Sequence, residues 1–459
     1  MYLSEIILVK KCWRSDFLWT KPLVYSTFLK RIALNFDTKA LLKSQYWPHE
    51  ELERIQVERI RTLLSHASRI PFWKEWFSKH AVDPACIMGL HDFKKIPVIT
   101  RRDFLGKSWA EVTSEPDIAR LNKTGKKDHT SGSTGFPLYF YVDRSFELRS
   151  FAICERLFLA AGGGKRFPII SIRARRKLGF PTGNAHLFHV RGFNSIKHRA
   201  HALKEFVVSF GKGYIFYGFS SYLAELARIS NQEQLAFHPR AVIATGEQLI
   251  ESDREYMQKI FGCPVFDTYA TRELGQLTFE CEYQVLHISS EWALLESVDE
   301  RGNALPHGKE GRIIVTTFDN RIMPFIRYDT GDWGSIKPSS CECGRTLPVL
   351  SISGRGGEII ELRNGRRVAA LDLVTAFDEY PGVAQRFQII QTGPDNILIK
   401  IIPGAFWKDL KDALYEKMER NLHLYAKIDW EIVDDIPAEP SGKIALVKSL
   451  RQIHVQNHA

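Results

Sequence analysis

A run of small and hydroxylated residues has the composition of an anion-binding loop: Ser131, Gly132, Ser133, Thr134 and Gly135. Glycine permits positive φ and removes the side chain that would block an approaching ligand, so backbone N–H groups and hydroxyls can surround a phosphate. No Gly-Lys-Ser/Thr follows at the Walker A spacing. A polar surface turn is the alternative, and residues further along the chain must decide between the two.

Four other residues carry side chains that bind transition metals: Cys281, His287, Cys341 and Cys343. Their spacing is C-x5-H, followed at a distance by C-x-C. Three thiolates and one imidazole suit a closed tetrahedral zinc site, which is structural rather than catalytic. Buried cysteines without a ligand, beside a core histidine, are the alternative.

Length and composition narrow the class of protein. The 459 residues, 44% hydrophobic and 25% charged, are typical of a globular protein with two or three domains. No apolar run approaches the roughly 18 residues of a membrane span, and the first residues lack a cleavage-like site, so we expect no transmembrane segment and no export. Seven cysteines, an odd number, fit the reducing cytoplasm better than a disulfide framework.

The net charge of +10 has several interpretations. Solvated surface is the simplest, and an anionic cofactor, an acidic polymer or an anionic membrane face are the others. No zinc finger, helix-turn-helix or RNA-binding motif accompanies the charge, which predicts that nucleic acid is not a partner. Four histidines lie in one basic segment that we predict to be a surface or substrate loop: His186, His189, His198 and His201.

Helices and a parallel sheet are predicted to position these groups. Apolar residues at helical spacing over 51–67 indicate an amphipathic helix, and residues 1–100 are predicted to form a helical cap. Short apolar runs then alternate with helical patterns, which indicates a mostly parallel sheet with ligands at the carboxyl ends of its strands. Polar tips follow three of these runs, at Tyr217-Gly218, at Thr245-Gly246-Glu247 and at residues 269–273.

The last third of the chain is predicted to contain two further units. Closely spaced strands over 283–318 indicate an antiparallel or barrel-like subdomain. Adjacent glycines, Gly356 and Gly357, could absorb a hinge rotation, so we place a domain boundary there. The resulting domains are residues 1–356 and a separate α+β module at residues 357–459.

Three more motifs complete a recognisable order: Arg327-Tyr328-Asp329-Thr330-Gly331-Asp332, then Gly354-Arg355, then Pro440-Ser441-Gly442-Lys443. With the glycine loop and residues 269–273, the chain resembles the adenylate-forming superfamily, in its phenylacetate–CoA ligase-like branch, which includes CapK-type proteins of surface-polysaccharide loci. The resemblance implies an α/β fold with a large N-terminal adenylating domain of parallel sheets flanked by helices and a small barrel-like β subdomain. The C-terminal α+β domain would be a mobile lid.

The resemblance also implies roles for individual residues. Residues 131–135 would hold the β- and γ-phosphates of ATP, Glu273 would bind Mg²⁺, and Asp332 would accept hydrogen bonds from the ribose. Lys443 would bridge the substrate carboxylate and the α-phosphate, and Arg355 would reach the ribose and α-phosphate; with Glu273 these are the predicted catalytic residues. Gly246, Glu247 and Tyr269 would flank the adenine, and the remaining predicted nucleotide-binding residues are Asp267, Thr268, Ala270 and Thr271.

The implied reaction has two halves. A small carboxylic acid attacks ATP to give an acyl-adenylate and pyrophosphate, and the lid then rotates and admits an acyl acceptor, by default CoA. A second enzymatic hypothesis passes the acyl group to an acceptor other than CoA, in surface-polysaccharide or secondary-metabolite biosynthesis. A third hypothesis is a nucleotide-binding scaffold without catalysis. A homodimer stays open.

Overall fold

The computed structural model describes residues 38–448 apart from 131–137, 163–166, 174–184, 190–195, 212, 356–359, 364–366, 369–372, 374–376, 378–379, 381, 422–425 and 438–445. The glycine loop at 131–135, the paired glycines at 356 and 357 and Lys443 therefore lie outside the described residues.

The described part of the predicted cap is helical. After a helical segment at 38–44 come α1 (His49–Ala67), α2 (Pro71–Lys79), α3 (Leu90–Phe93), α4 (Arg101–Phe104), α5 (Trp109–Val112) and α6 (Ile118–Thr124), with a 3₁₀ turn at Pro84–Cys86. The apolar stripe of α1, including Leu52, Ile60 and Leu64, is buried as its spacing predicts. Capping boxes at Thr100 and Ser108 start α4 and α5.

A hairpin and a five-stranded sheet follow. The hairpin is β1 (Gly125–His129) and β2 (Tyr139–Asp143), and the sheet strands are β3 (Ile169–Arg173), β4 (Ala185–His189), β5 (Ile215–Phe219), β6 (Ala241–Thr245) and β7 (Val265–Phe266). The sheet order is β4-β3-β5-β6-β7, and each pair is parallel, as predicted. The helices around it are α7 (Arg144–Ala160), α8 (Ile196–Val208), α9 (Ser220–Gln232) and α10 (Glu251–Phe261). All five residues of β6 are buried, which explains its unbroken apolar run.

Two sequence interpretations need correction. The histidine-rich segment is not a loop where it is described, because His186 and His189 lie in β4 while His198 and His201 lie in α8. The five residues of β4 look like a loop locally, and only pairing with β3 makes them a strand. Tyr217 and Gly218 lie within β5 rather than at its tip.

The predicted β subdomain is an antiparallel sheet. A small hairpin, β8 (Ala270–Thr271) and β9 (Gly275–Gln276), precedes β10 (Thr278–Glu280), β11 (Leu286–Ile288), β12 (Ala293–Val298), β13 (Gly311–Thr317), β14 (Tyr328–Lys337) and β15 (Val349–Arg355). Strands β10 to β15 form one six-stranded sheet with the order β10-β11-β15-β14-β13-β12. One apolar core joins this sheet to the cap helices and to the β1–β2 hairpin.

The C-terminal module has its own sheet and core. Its elements are β16 (Ile360–Glu361), β17 (Arg367–Val368), β18 (Ala384–Gly393), β19 (Asn396–Pro403), α11 (Trp407–Asn421), β20 (Lys427–Ile432) and β21 (Val447–Lys448). The sheet order β20-β19-β18-β21 mixes antiparallel and parallel pairs, which is the predicted α+β character. The exact boundary at 356/357 stays a prediction. Among the described helices, none combines the length and apolarity of a bilayer span.

Candidate active site

The strands on either side of the glycine loop form a β-hairpin. Strands β1 and β2 pair antiparallel up to His129 opposite Tyr139. Beyond that pair, the Thr130 N–H donates to the Leu138 carbonyl at 2.9 Å, and the Leu138 N–H donates to the Thr130 hydroxyl at 2.9 Å. These bonds hold Thr130 and Leu138 next to each other at the end of the hairpin.

An ion pair joins the base of this hairpin to the segment 269–273. Arg272 Nη2 lies 2.6 Å from Asp128 Oδ1, and both side chains are about one-quarter exposed. The Tyr269 N–H donates to the Thr278 hydroxyl at 2.8 Å, which fixes the other end of the segment against β10. Asp128 and Arg272 are 144 positions apart in the sequence, yet the structure brings them into contact.

Asp332 lies at the other end of this segment. The Tyr269 hydroxyl donates a hydrogen bond of 2.5 Å to Asp332 Oδ2, and Asp332 is buried. Asp332 in β14 is also the strand partner of Arg355 in β15. The structure thus brings the predicted ribose ligand Asp332, the predicted adenine-binding Tyr269 and the backbone of Arg355 together.

Glu273 is buried in the same region and is 7% exposed. The Tyr328 hydroxyl donates towards Glu273 Oε1 at 3.5 Å. Burial raises the pKa of Tyr328 well above its ordinary value, and the nearby charge of Glu273 acts in the same direction. Arg101 donates to the Thr130 hydroxyl, and its positive charge lowers the pKa of Tyr328, so Arg101 lies near both Thr130 and this pair.

Sequence reasoning did not select Arg101 or the hydroxyl of Tyr328 as site residues. Arg101 is the first residue of a short helix after a capping-box threonine, and nothing in that local pattern indicates a role in a site. A β-bridge between Ile99 and Tyr328 brings the segment that contains Arg101 next to Tyr328. This contact joins residues that are far apart in the sequence.

Two predicted adenine-binding residues are used structurally here. The Glu247 carboxylate accepts the Ser221 N–H at 3.0 Å, which caps the start of α9. Gly246 adopts φ of +76°, a conformation that glycine accepts without strain. Both residues follow β6 directly, so they lie at the carboxyl edge of the sheet, as predicted.

Asp267 and Thr268 support the turn that carries Tyr269. Burial raises the pKa of Asp267 to about 7, and the charge of Glu280 adds to that effect. Glu280 itself accepts the Asp267 N–H at 2.6 Å. The Thr268 hydroxyl donates to the Thr278 carbonyl at 2.6 Å. Both residues therefore position the tyrosine through the backbone.

Arg327, in the Arg-Tyr-Asp motif, is a structural residue. It is 1% exposed, and its guanidinium contacts Glu296 Oε2 at 3.1 Å, the Lys94 carbonyl at 2.6 Å and the Gly302 carbonyl at 2.9 Å. A buried guanidinium with these partners is satisfied by the protein. It anchors the turn at 94–96 to the antiparallel sheet.

The predicted metal ligands form a second cluster. The ligand atoms of Cys281, His287, Cys341 and Cys343 all lie within 4.8 Å of one another. The Cys281 and Cys341 sulfurs are 3.6 Å apart, and Cys343 Sγ is 3.3 Å from His287 Nε2. Two sulfurs on a tetrahedral zinc, with Zn–S bonds of about 2.3 Å, lie roughly 3.7 Å apart, so these separations fit one ion.

The surroundings orient the histidine towards the sulfurs. His287 Nδ1 lies 3.0 Å from the Leu347 carbonyl, which leaves Nε2 facing Cys343. A metal-binding histidine is commonly held in this way by its other ring nitrogen. Two tight turns present the cysteines: Gln284 N–H donates to the Cys281 carbonyl at 2.9 Å, and Gly344 N–H donates to the Cys341 carbonyl at 3.1 Å.

The surroundings shift the pKa values of the cysteine and histidine side chains in different directions. Burial raises the pKa of the Cys281 thiol to about 12 and lowers the pKa of His287. Burial also opposes ionisation of Cys343, but hydrogen bonds from Arg345 hold the pKa of that thiol below its ordinary value.

Comparison with known proteins gives consistent relatives along most of the chain. Residues 360–450 match the family model of the CapK C-terminal domain. A phenylacetate–coenzyme A ligase of Thermus thermophilus is 26% identical over 450 residues, which cover 88% of this chain and 98% of the relative. Protein CapK of Staphylococcus aureus is 23% identical over 467 residues, covering 92% of this chain and 96% of the relative.

Among solved structures, 2-hydroxyisobutyryl-CoA ligase has a similar fold at 18% sequence identity. Its postadenylation state in complex with 2-HIB-AMP aligns with a TM-score of 0.75 and covers 91% of this chain and 95% of that one. The thioesterification state of the same enzyme, with 2-HIB-AMP and CoA, aligns with a TM-score of 0.61 over 90% of this chain and 94% of that one.

The fold is therefore that of the adenylate-forming enzymes, with the α/β N-terminal part and the α+β C-terminal module that the motifs predict. Over most of its length the chain is similar in sequence to phenylacetate–CoA ligases and to CapK, and its C-terminal module matches the CapK C-terminal domain.

Proposed function

We propose that this protein is an acid-activating ligase, which converts a carboxylic acid and ATP into an acyl-adenylate and pyrophosphate and then forms a CoA thioester. One observation carries the proposal: the segment 269–273 contacts both Asp332 and the base of the glycine loop. This contact supports one shared site for the residues expected to bind ribose, adenine and phosphate. The named activities of the relatives agree with this chemistry.

The residues have distinct proposed roles. Asp332 accepts the ribose hydroxyls, Tyr269 contacts the adenine, and the N–H groups of residues 131–135 hold the phosphates. Glu273 supplies the Mg²⁺ ligand: a carboxylate is the hard oxygen donor that this ion prefers, and it is buried within the site. Bound Mg²⁺ would neutralise phosphate charge. Arg355 and Lys443 complete the catalytic set.

Isotope exchange between pyrophosphate and ATP tests this proposal. With Mg²⁺ and a panel of aryl, fatty and hydroxy acids, exchange is expected with at least one acid and not in its absence. No exchange with any acid, in protein that binds ATP, would contradict acid activation and favour the scaffold hypothesis. The assay needs no acyl acceptor, so it isolates the first half-reaction.

A second candidate keeps the adenylation and changes the acceptor. The match of residues 360–450 to the CapK C-terminal domain favours it, because this module would face the acceptor after the lid rotates. Mass spectrometry of reactions with CoA separates the two candidates. Exchange without any acyl-CoA product would favour a non-CoA acceptor of the surface-polysaccharide or secondary-metabolite type. A cytoplasmic location and a homodimer stay predictions.

Tyr269→Phe is expected to raise the KM for ATP roughly three- to ten-fold with little change in kcat. The substitution keeps the ring and removes the hydroxyl that donates to Asp332 at 2.5 Å, and the net contribution of a typical hydrogen bond, about 1 kcal/mol, corresponds to this range. Initial rates of exchange against ATP concentration measure the effect. Tyr283→Phe is the matched control, because Tyr283 is 52% exposed. An unchanged KM for ATP would remove the proposed role of this contact.

We propose further that the cysteine–histidine cluster holds one structural zinc. Support comes from the separations of its ligand atoms and from the orientation of His287. The donor set of three sulfurs and one nitrogen leaves no ligand position for a substrate, so zinc would stabilise the β10–β11 hairpin against the loop at 341–344.

Purified protein is expected to contain about one zinc per chain. Cys343→Ser is expected to lower the zinc content by more than half and the unfolding midpoint by roughly 5–10 °C, because the hairpin loses its cross-link. Elemental analysis and thermal unfolding measure both. Cys86→Ser is the control, since Cys86 is exposed and far from this cluster in sequence. Metal-free protein with an unchanged midpoint would contradict the proposal.

A further inference from the structure

An apolar contact joins the C-terminal module to the large domain. Ile250, directly before α10, is buried in the same cluster as the core residues of the C-terminal module, including Phe377 and Phe387. A cavity of about 60 Å³ lies at this junction, and its wall includes Ser221 of α9 and Tyr380 of the module. The apolar side of this interface therefore includes a buried side chain of the large domain, that of Ile250.

A charged contact lies beside it. Arg386 Nη2 on β18 is 3.1 Å from Glu225 Oε2 on α9, and the side chains are 20% and 24% exposed. Arg386 Nη1 also faces its own module, at 3.4 Å from the Ile436 carbonyl and 3.8 Å from Asp435. On the other side, Arg228 Nη1 lies 3.6 Å from Glu225 Oε2.

Arg228 is shared between two acidic residues, Glu225 and Asp253. Arg228 donates to Asp253 at the start of α10, so its charge is shared with an acidic residue of its own domain. Glu225 therefore faces two guanidiniums, of which only Arg386 belongs to the C-terminal module. A carboxylate between two cations of this kind favours the arrangement in which both are near.

This contact depends on where the module lies. Two states of 2-hydroxyisobutyryl-CoA ligase are available for comparison. This chain superposes better on the postadenylation state than on the thioesterification state. The comparison enzyme is the same in both, and the two TM-scores are 0.75 and 0.61. Rotation of the module about a hinge near residue 356 would carry Arg386 away from α9.

We infer that Glu225 and Arg386 are positioning residues that, with Ile250, hold the C-terminal module in the orientation for the first half-reaction. The inference rests on the proposed acid activation. The pair touches no reacting atom and acts by setting the populations of the two orientations. Because the pair is partly exposed, its loss is expected to shift the ratio of those populations about two- to five-fold.

The test uses the full chain with Glu225→Gln, with Arg386→Gln and with both substitutions. Small-angle X-ray scattering, fitted as a mixture of two domain arrangements, reports the ratio without any assay of activity. Each single variant is expected to shift this ratio two- to five-fold, and the double variant by no more than either. Ile250→Ala is expected to produce a larger shift in the same direction, because it removes buried contact area.

Kinetics separate a positioning role from a structural one. The single variants are expected to lower pyrophosphate–ATP exchange two- to five-fold and to leave unchanged, or raise, the single-turnover transfer from a preformed acyl-adenylate. Lys400→Gln is the matched control: it removes a 3.4 Å ion pair to Glu431 within the same sheet and does not reach α9. Lys400→Gln is expected to leave the ratio of the two domain arrangements and the rates of both half-reactions unchanged.

Unchanged scattering in the Glu225 and Arg386 variants, or equal losses in both half-reactions, would overturn the inference. Additive effects in the double variant would also overturn it, since the two residues would then act separately. If wild-type protein shows no exchange with any acid, the proposed function fails, whereas the scattering experiment still decides whether this contact sets the orientation of the module.

Discussion

Lys443→Ala is expected to slow pyrophosphate–ATP exchange about 10²- to 10³-fold. In the proposed reaction, Lys443 brings a positive charge to the carboxylate and α-phosphate as negative charge is redistributed between them. Removal of one such preorganised group typically costs this much in rate. ATP binding should change far less, because the proposal assigns most of the nucleotide contacts to Asp332, Tyr269 and the glycine loop.

The half-reaction in which the lysine acts distinguishes this role from general damage. Transfer of the acyl group from a chemically prepared adenylate should proceed at the wild-type rate, because the lysine has left the site by then. Lys427→Ala is the matched control, since Lys427 is 73% exposed at the side chain and lies in β20 of the same module. Exchange at the wild-type rate in Lys443→Ala would contradict the assigned role.

Glu291→Ala is expected to lower the free energy of unfolding by about 3–5 kcal/mol. Glu291 and Arg156 form an ion pair of 3.0 Å, and each side chain is 1% exposed. The carboxylate also accepts the Ser44 hydroxyl at 2.5 Å, while the guanidinium donates to Ser289 at 2.7 Å. Truncation of one partner leaves a buried, unpaired charge, which is among the most destabilising single changes.

Urea denaturation followed by tryptophan fluorescence measures this effect. The pair joins the helical segment at 38–44, α7 and the turn before β12, so its loss should lower the transition of the large domain. Arg156→Leu combined with Glu291→Leu should be less destabilising than Glu291→Ala, because no unpaired charge remains. The exposed control Arg54→Ala, in a surface pair with Glu51, should stay within about 0.5 kcal/mol. A similar loss in the control and in Glu291→Ala would contradict the argument.

Local patterns predicted much of the fold. The apolar stripe over 51–67, the short runs that became β3, β5 and β6, and the helix at 251–261 all depend on neighbours within a few residues. The order of the motifs predicted the superfamily, and similar proteins that cover most of the chain agree with that prediction. Spacing alone also selected the four cysteine and histidine residues that the structure brings together.

Other features depended on contacts that no local pattern contains. The strand β4 was missed because its five residues become a strand only by pairing with β3. Arg101 enters the site through the bridge between Ile99 and Tyr328, and Glu247 caps α9 across 26 residues of chain. Nothing in the local sequence around Arg386 predicts its ion pair with Glu225, because the fold brings β18 and α9 together.

The sequence by itself determined the class of protein and the residue types that its chemistry needs, because motif composition and periodicity are local properties of the chain. Only the tertiary structure decided which of those residues meet. The Tyr269 hydroxyl on Asp332 and the Arg272 guanidinium on Asp128 join segments 63 and 144 residues apart. Such contacts follow from the packing of whole sheets and helices, and no window of sequence contains both partners.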